Sequence, residues 1–367
     1  MSTTVVRRTW LPFVIGLLLL VAACGQEAPI VRRGVLGHAA VTHVGDVRPQ
    51  TKVDPGNDAA GALRSPHVDL NLLGYTITDE VDQAHATAYG YTGGPVEITE
   101  GNEFFLAIMA PDGVANEDAE ARLRVGEETM KLDRVPGPGE GVAAVTPKDT
   151  DVWLEVTDEG KTQSLNLRDG SREDAVEGYY NAEPETSDLE DYDAEGQVTA
   201  QAGEKFRPET RSVSLSMSVQ EAQRSPWIEQ RGWADDGNVW VVVQVGDITT
   251  DSVWGFDTGE DSHEPIINWK LDVDGLFALV PSDGDAAEPY GDMTFTADDS
   301  RNPIDGDTGA MEFDPSGATL VFQVPDDTVE AQLQITPEGT LEAKWADMTG
   351  SCYWNAQPKF EDIKIAF

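Results

Sequence analysis

The sequence has little cysteine and few basic residues. Cysteine occurs only at Cys24 and Cys352, so no disulfide framework of the kind found in small secreted domains is expected, and a lone thiol at Cys352 is predicted to be buried and inert. The sequence has 25 basic and 67 acidic residues, which gives a formal net charge of -42. Such a surface repels nucleic-acid phosphates, and nucleic-acid binding is therefore not expected.

The motifs of common catalytic and metal centres are also missing. The sequence contains no His-Glu-x-x-His, Cys-x-x-Cys, Gly-x-Ser-x-Gly or phosphate-cradling glycine loop. Because zinc needs three or four converging ligands, this scarcity predicts no dedicated transition-metal site. Paired carboxylates could serve a glycosidase, but 67 acidic residues offer too many pairs for one to stand out. The histidines are His38, His43, His67, His85 and His263.

Long apolar runs are absent except near the amino terminus. Arg7 and Arg8 precede a mostly apolar stretch from Trp10 to Val21. This stretch is well short of the roughly 20 residues that a membrane-spanning helix needs. A basic segment followed by a short apolar segment and small residues predicts a secretory signal peptide over residues 1–23.

The signal ends in Leu20-Val21-Ala22-Ala23-Cys24. This segment resembles a bacterial lipobox, and the resemblance implies diacylglycerol transfer to the Cys24 sulfur and cleavage after Ala23. The alternative is an ordinary secretory peptide that carries a cysteine. A lipid anchor at Cys24 would hold the protein on the outer face of the cell membrane.

The rest of the chain divides by composition. Residues 24–66 show no sustained period and predict a flexible tether. Short segments rich in β-formers over 67–175 predict an antiparallel β-sandwich, in which the apolar run Phe104 to Met109 forms a strand buried on both faces. Residues 176–208 are acidic and predict a linker, with an ion-binding tail as the alternative. Residues 209–367 predict a second sandwich.

Two segments support a pair of related sandwich modules. The alternating strand at Val152 to Val156 is followed by the turn Thr157 to Gly160, and 179 residues later Ala331 to Ile335 is followed by Thr336 to Gly339. The preferred interpretation is a repeated module, and chance similarity between two hairpins is the alternative. With no pattern for a long helix, the chain is predicted to be all-β.

Two further segments, Glu100 to Leu106 and Leu320 to Asp326, carry a family resemblance. Together with the export signal, they resemble the immunoglobulin-like domain of unknown function found in Gram-positive and actinobacterial lipoproteins. That domain is similar in fold to small secreted mycobacterial antigens. The resemblance implies immunoglobulin-like sandwiches and brings no catalytic residues with it.

Two groups of residues are candidate binding sites. Asp305 and Asp307, with Glu312, imitate the start of an EF-hand loop, although the glycine and the last acid are misplaced. A weak calcium loop is one interpretation, and a solvated acidic turn is the other. Trp227 and Trp233 lie in a segment expected to be a loop, where exposed indole rings form a candidate ligand patch; structural packing is the alternative.

These features predict a lipid-anchored surface protein that acts as a non-enzymatic binding or envelope-associated module. Its expected ligand is a protein or a cell-wall glycan, and calcium is the only candidate cofactor. The alternative function is a secreted carboxylate-dependent hydrolase, with or without calcium. Such an enzyme would present two carboxylates about 5–10 Å apart in a deep cleft, whereas a structural spacer would have neither patch nor cleft.

Overall fold

A computed structural model describes most of the chain beyond the predicted signal peptide. The described residues are 32–33, 36–45, 47–53, 61–89, 94–181, 187–188, 192–201, 209–251, 266–272, 276–291, 294–298, 310–312, 317–335, 339–345, 348–354 and 363–367. Strands dominate them, and the all-β prediction is confirmed. Within this described part, no helix is both long and apolar enough to span a membrane.

Up to residue 181 the described elements are one short α-helix, one 3-10 helix and a series of strands. They are β1 (Arg32–Arg33), β2 (Ala39–His43), β3 (Thr51–Lys52), β4 (Ala62–Ser65), β5 (Val68–Thr78), β6 (Glu80–Val81), α1 (Gln83–Ala88), β7 (Val96–Glu97), β8 (Asn102–Met109), β9 (Glu120–Val125), β10 (Glu128–Lys131), β11 (Glu140–Pro147), β12 (Val152–Asp158), β13 (Lys161–Asn166), β14 (Arg172–Glu173) and the 3-10 helix (Glu177–Tyr179).

Beyond residue 181 the described elements are strands. They are β15 (Ser187–Asp188), β16 (Tyr192–Gln201), β17 (Glu209–Ser225), β18 (Trp227–Ile228), β19 (Gly232–Trp233), β20 (Asn238–Asp251), β21 (Ile266–Asp272), β22 (Phe277–Pro281), β23 (Thr294–Asp298), β24 (Ala310–Glu312), β25 (Gly317–Pro325), β26 (Glu330–Ile335), β27 (Gly339–Trp345), β28 (Met348–Trp354) and β29 (Ile363–Ala366).

Two antiparallel sheets share a core in the first part of the chain. One has the order β2-β11-β8-β5-β3, with β4 also paired to β5, and the other has the order β10-β9-β12-β13-β14. Alternation in β9 and β12 turns Leu123 and Leu154 inward, where they share one apolar cluster with Phe105 and Val142 of the first sheet. Each such buried side chain contributes about 1.5–3 kcal/mol to folding. We call this unit the first sandwich.

The apolar run in β8 is buried on both faces, as predicted. Phe105 and Ala107 face the shared core, whereas Phe104 and Leu106 face a second apolar cluster. That cluster is closed by the segment between β5 and β8, where the Tyr89 ring lies 4.9 Å from the Phe104 ring. A strand covered on both sides does not need polar alternation, which explains its uninterrupted apolar sequence.

The described part of the predicted tether (24–66) differs from a flexible segment. Ala39–His43 pairs with β11, and Ala62–Ser65 pairs with β5, with Leu63 fully buried. The added strands supply hydrogen-bond partners to sheet edges that would otherwise be open. Both strands contain mostly small and polar residues, so their sequences show no apolar periodicity that would predict a strand.

The predicted linker (176–208) likewise contains strands. Tyr192–Gln201 pairs with β17 on one side and with β28 on the other. Backbone pairing inside a wide sheet gives this acidic strand its hydrogen-bond partners without a run of large apolar side chains. The boundaries of the predicted modules stay predictions.

The second part of the chain is built around a ten-stranded sheet. Its main path is β23-β21-β27-β28-β16-β17-β20-β24, with β25 paired to β20 and β15 to β17. Val241 lies opposite Phe322 in the β20–β25 pair, and both side chains are buried. In β20 the side chains of Trp240, Val243 and Val245 are also buried, and Val242 is half-buried. A separate sheet has the order β22-β26-β29.

The predicted repeat is not reproduced in the strand pairing. In the first copy β12 pairs with β13 across the turn that contains Glu159. In the second copy β26 and β27 belong to different sheets, because β26 pairs with β22 and β29, whereas β27 pairs with β21 and β28. The similarity between the two segments is therefore local, and it does not extend to their partners.

Candidate functional site

The two tryptophans of the candidate ligand patch lie side by side. Trp227 and Trp233 are opposite each other in the short antiparallel pair β18–β19. Trp240, on the neighbouring strand β20, supports this hairpin by donating its indole N–H to the carbonyl of Gly232 at 3.0 Å. Trp240 itself is only 5% exposed, so it is a core residue. We call residues 227–233 the tryptophan hairpin.

The tryptophan hairpin packs against the first sandwich. The Trp227 ring meets the His67 ring edge to face, with 5.0 Å between ring centroids. The Trp233 indole N–H donates to the carbonyl oxygen of Glu159 at 2.7 Å. Both tryptophans are therefore half-buried, rather than displayed on an open loop as the sequence suggested. A half-buried indole needs an acceptor for its N–H, and the turn after β12 provides one.

Arg224 fastens the 3-10 helix to the second part of the chain. Its guanidinium donates to the carbonyl of Gly178 at 2.6 Å and also to the carbonyl of Asp326. The side chain is buried, and burial lowers the pKa of Arg224 against the opposing effect of the nearby Asp326 and Asp327 carboxylates. An arginine remains charged under these conditions, so its hydrogen bonds are charge-assisted.

The 3-10 helix fits closely at this contact. A Cβ atom on Gly178 would lie 2.6 Å from a methyl carbon of Val239 and 2.9 Å from a ring carbon of Pro226. On its other side, the hydroxyl of Tyr180 accepts a hydrogen bond from the backbone N–H of Arg64 at 2.8 Å. The helix therefore contacts both the first sandwich and the ten-stranded sheet. We call this region, together with the tryptophan hairpin and the turn at 158–160, the junction.

A cleft of about 460 Å³ opens at the junction, between the start of β13 and the segment 174–178 on one side and the segment after the tryptophan hairpin on the other. Its charged lining is one lysine and five carboxylates, and the Trp233 ring forms part of the wall. The charged residues are Lys161, Asp174, Glu177, Asp235, Asp236 and Asp326.

Lys161 shows what chemistry the cleft favours. Its ammonium lies 4.8 Å from the centroid of the Trp233 ring and 3.5 Å from a carboxylate oxygen of Asp236. An aromatic face and a carboxylate together are a general arrangement for holding a cation. The remaining carboxylates are left with an excess of negative charge that one lysine cannot balance.

A second polar group lies beside the cleft, at His67, Asp158 and Glu159. The ring nitrogen Nδ1 of His67 is 3.1 Å from Asp158 Oδ1 and 3.8 Å from Glu159 Oε1. Burial alone would raise the pKa of Asp158, but hydrogen bonds from Ser65 and from the side chain and backbone of His67 outweigh it and lower that pKa below its usual value. Asp158 is therefore held as a carboxylate.

This group does not have the arrangement of a serine hydrolase. In a catalytic triad the serine hydroxyl contacts the histidine and the carboxylate contacts the other ring nitrogen. Here the Ser65 hydroxyl donates to Asp158 Oδ2 at 2.6 Å. The serine and the histidine are thus both donors to one carboxylate, and the Ser65 hydroxyl does not donate to the histidine that would act as its base.

Sequence reasoning missed this group entirely. His67 and Asp158 are 91 positions apart, and no spacing motif links them. The segment Asp158-Glu159-Gly160 carried only a turn signal, and the structure confirms a turn there with Glu159 at a φ of 48°.

The other predicted site residues lie mostly outside the described residues. Ala23, Cys24, Asp305 and Asp307 are among those, and Glu312 ends β24 without a described side chain. The lipidation and calcium predictions therefore stay predictions.

The comparisons with known proteins give no relative for this chain. No protein-family model, no curated protein and no solved structure matches it.

Proposed function

We propose that this chain is a binding protein that holds a cationic segment of a partner protein in the junction cleft, without converting it chemically. The observation that carries this proposal is the cleft lining, in which five carboxylates and the Trp233 ring surround a single lysine. Lys161 pairs with Asp236 at 3.5 Å, and the other four carboxylates of the lining would attract a cationic side chain that enters the cleft.

The position of Lys161 favours a cationic ligand over a neutral glycan. Sugars stack on an open indole face, but the Lys161 ammonium lies over the Trp233 ring. The Trp233 N–H is also engaged by the Glu159 carbonyl. The formal net charge of -42 would in addition steer a positively charged partner toward the protein.

Neutralising two cleft carboxylates is expected to weaken this binding. Asp174 and Asp235 are exposed residues of the cleft lining, and asparagine preserves their shape. Asp174 has a φ of 54°, a conformation that asparagine tolerates well. The double variant Asp174→Asn/Asp235→Asn should bind a dye-labelled lysine decapeptide about 10-fold more weakly than the unchanged chain, as measured by fluorescence anisotropy.

The matched control is Asp283→Asn/Asp285→Asn, which removes the same charge from exposed residues that do not line the cleft. It should retain nearly full affinity at about 0.15 M salt. Equal weakening by both pairs would mean that the peptide binds the acidic surface at large. Binding of an N-acetylglucosamine oligomer instead of the peptide would mean that the ligand class is wrong.

We further propose that the protein is exported and anchored to the outer face of the cell membrane through Cys24, with immunoglobulin-like sandwiches as its folded part. The lipobox-like segment Leu20 to Cys24 supports this location. Two acyl chains on the diacylglycerol hold a protein much more stably than one chain does.

Substitution Cys24→Ser is expected to abolish lipid attachment. Cells that express the variant and are fed radioactive palmitate should show no label on the protein, and the protein should leave the membrane fraction. Cys352→Ser is the control, and it should keep its label because only Cys24 lies at the predicted cleavage site. Label that persists in the Cys24→Ser variant would refute the anchor.

A further inference from the structure

Three side chains on neighbouring turns of the first sandwich converge on one point. His67 lies in the turn between β4 and β5, Asp158 ends β12, and Glu159 follows it. One nitrogen or oxygen atom from each residue lies within 4.8 Å of the other two. The site is separate from the lining of the cleft, which contains none of these three residues.

The spacing of these atoms suits a small divalent ion. Zinc holds nitrogen and oxygen ligands at about 2.0–2.2 Å, so two ligand atoms on one tetrahedral ion lie roughly 3.3–3.6 Å apart. His67 Nδ1 is 3.1 Å from Asp158 Oδ1 and 3.8 Å from Glu159 Oε1. These two distances bracket the required value, and the Asp158 and Glu159 oxygens lie within 4.8 Å of each other, so side-chain shifts would complete the geometry. The ion would take the place of the proton that His67 Nδ1 donates to Asp158, and that proton would be released to solvent.

Asp158 is oriented as a metal ligand commonly is. Its Oδ2 accepts hydrogen bonds from the Ser65 hydroxyl at 2.6 Å and from the backbone N–H of His67 at 2.8 Å. Oδ1 is thereby directed at the His67 ring nitrogen. Outer hydrogen bonds that fix a ligating carboxylate are a regular feature of metal sites. Asp158 is also 5% exposed, which makes it the fixed member of the group.

We propose that His67, Asp158 and Glu159 bind one divalent transition-metal ion. An imidazole nitrogen with two carboxylates favours such an ion over calcium, which takes six to eight oxygen ligands. His67 and Glu159 are 33% and 45% exposed, so an ion can enter from solvent and keep water in its open positions. The bound ion would join the two turns on which Trp227 and Trp233 rest.

Zinc titration of the full chain tests this site. The chain is first stripped with a chelator, and Zn²⁺ is then added in competition with a chromophoric zinc indicator. We expect the unchanged chain to bind one zinc ion. His67→Gln and Glu159→Gln should each lose that ion or bind it at least about 10-fold more weakly. Glu159→Gln is the more informative variant because the structural contact of that residue, to Trp233, is made by its backbone.

The control variant His43→Gln/Glu229→Gln removes the same residue types at exposed positions and should keep the ion. Zinc bound elsewhere, for example by Cys352, would remain in every variant and would not affect the difference. Tryptophan fluorescence provides a second readout, since the ion would bind next to Trp227. Zinc should change the emission of the unchanged chain and of the control variant, but not that of His67→Gln or Glu159→Gln. Zinc binding that is equal in Glu159→Gln and in the control, or no saturable binding at all, would overturn the proposal.

Discussion

Replacing Arg168 by methionine is expected to lower the free energy of unfolding by about 3–5 kcal/mol. Arg168 pairs with Glu103, and the two side chains are only 15% and 6% exposed. The guanidinium also donates to the carbonyl of Thr150 at 2.6 Å and lies 4.9 Å from the Phe105 ring centroid. Without Arg168, the Glu103 carboxylate would stay in a dry core with no cation beside it.

Chemical denaturation of Arg168→Met measures this loss. The control is Arg122→Met, since Arg122 is 54% exposed and its ion pair with Glu120 spans 3.7 Å; that change should cost less than about 1 kcal/mol. The double variant Glu103→Gln/Arg168→Met should recover part of the stability, because it removes the stranded charge. If Arg168→Met lost no more free energy of unfolding than Arg122→Met, the prediction for the buried pair would be wrong.

Replacing Arg224 by methionine is expected to cost about 2–4 kcal/mol and to weaken peptide binding in the cleft. Methionine preserves much of the packing but takes the guanidinium donor from the Gly178 carbonyl, and it leaves the Asp326 carbonyl with the 3.3 Å hydrogen bond from the Asn181 side-chain amide. Each buried acceptor that loses its partner costs about 1–3 kcal/mol. Because Gly178 and Asp326 both line the cleft, the loss should also loosen its wall.

The same denaturation series and the same labelled peptide test this second prediction. Arg122→Met again serves as the control, and it should change neither quantity appreciably. If stability fell but peptide affinity did not change, the contacts of Arg224 would not affect peptide binding. That result would count against the cleft as the binding site. Unchanged stability would show that water replaces the guanidinium at both carbonyls.

An uninterrupted apolar run was sufficient to predict β8, the central strand of the sheet β2-β11-β8-β5-β3. The run from Phe104 to Met109 predicted a strand covered on both faces, and the structure confirms it. Almost every residue of this strand is buried and apolar, so the local sequence carries the information.

Edge strands and the junction could not be predicted in the same way. Ala39–His43 has small and polar residues, and its place depends on the open edge of β11. The half-buried state of Trp227 depends on His67, which is far away in the sequence. Contacts of this kind follow from how distant turns meet, and a single sequence without relatives carries no local pattern for them.

Strand β17 lies between β16 and β20 in the wide sheet and ends at Ser225, two residues before Trp227. Its 17 residues span about 55 Å in extended form. A force applied to the tryptophan hairpin would therefore travel lengthwise along this strand, and the hydrogen bonds to β16 and β20 would resist it in shear. The register shifts at Ser216/Ser218 and Val219/Glu221 bend and twist the strand locally, so the shear load would be shared unevenly along it.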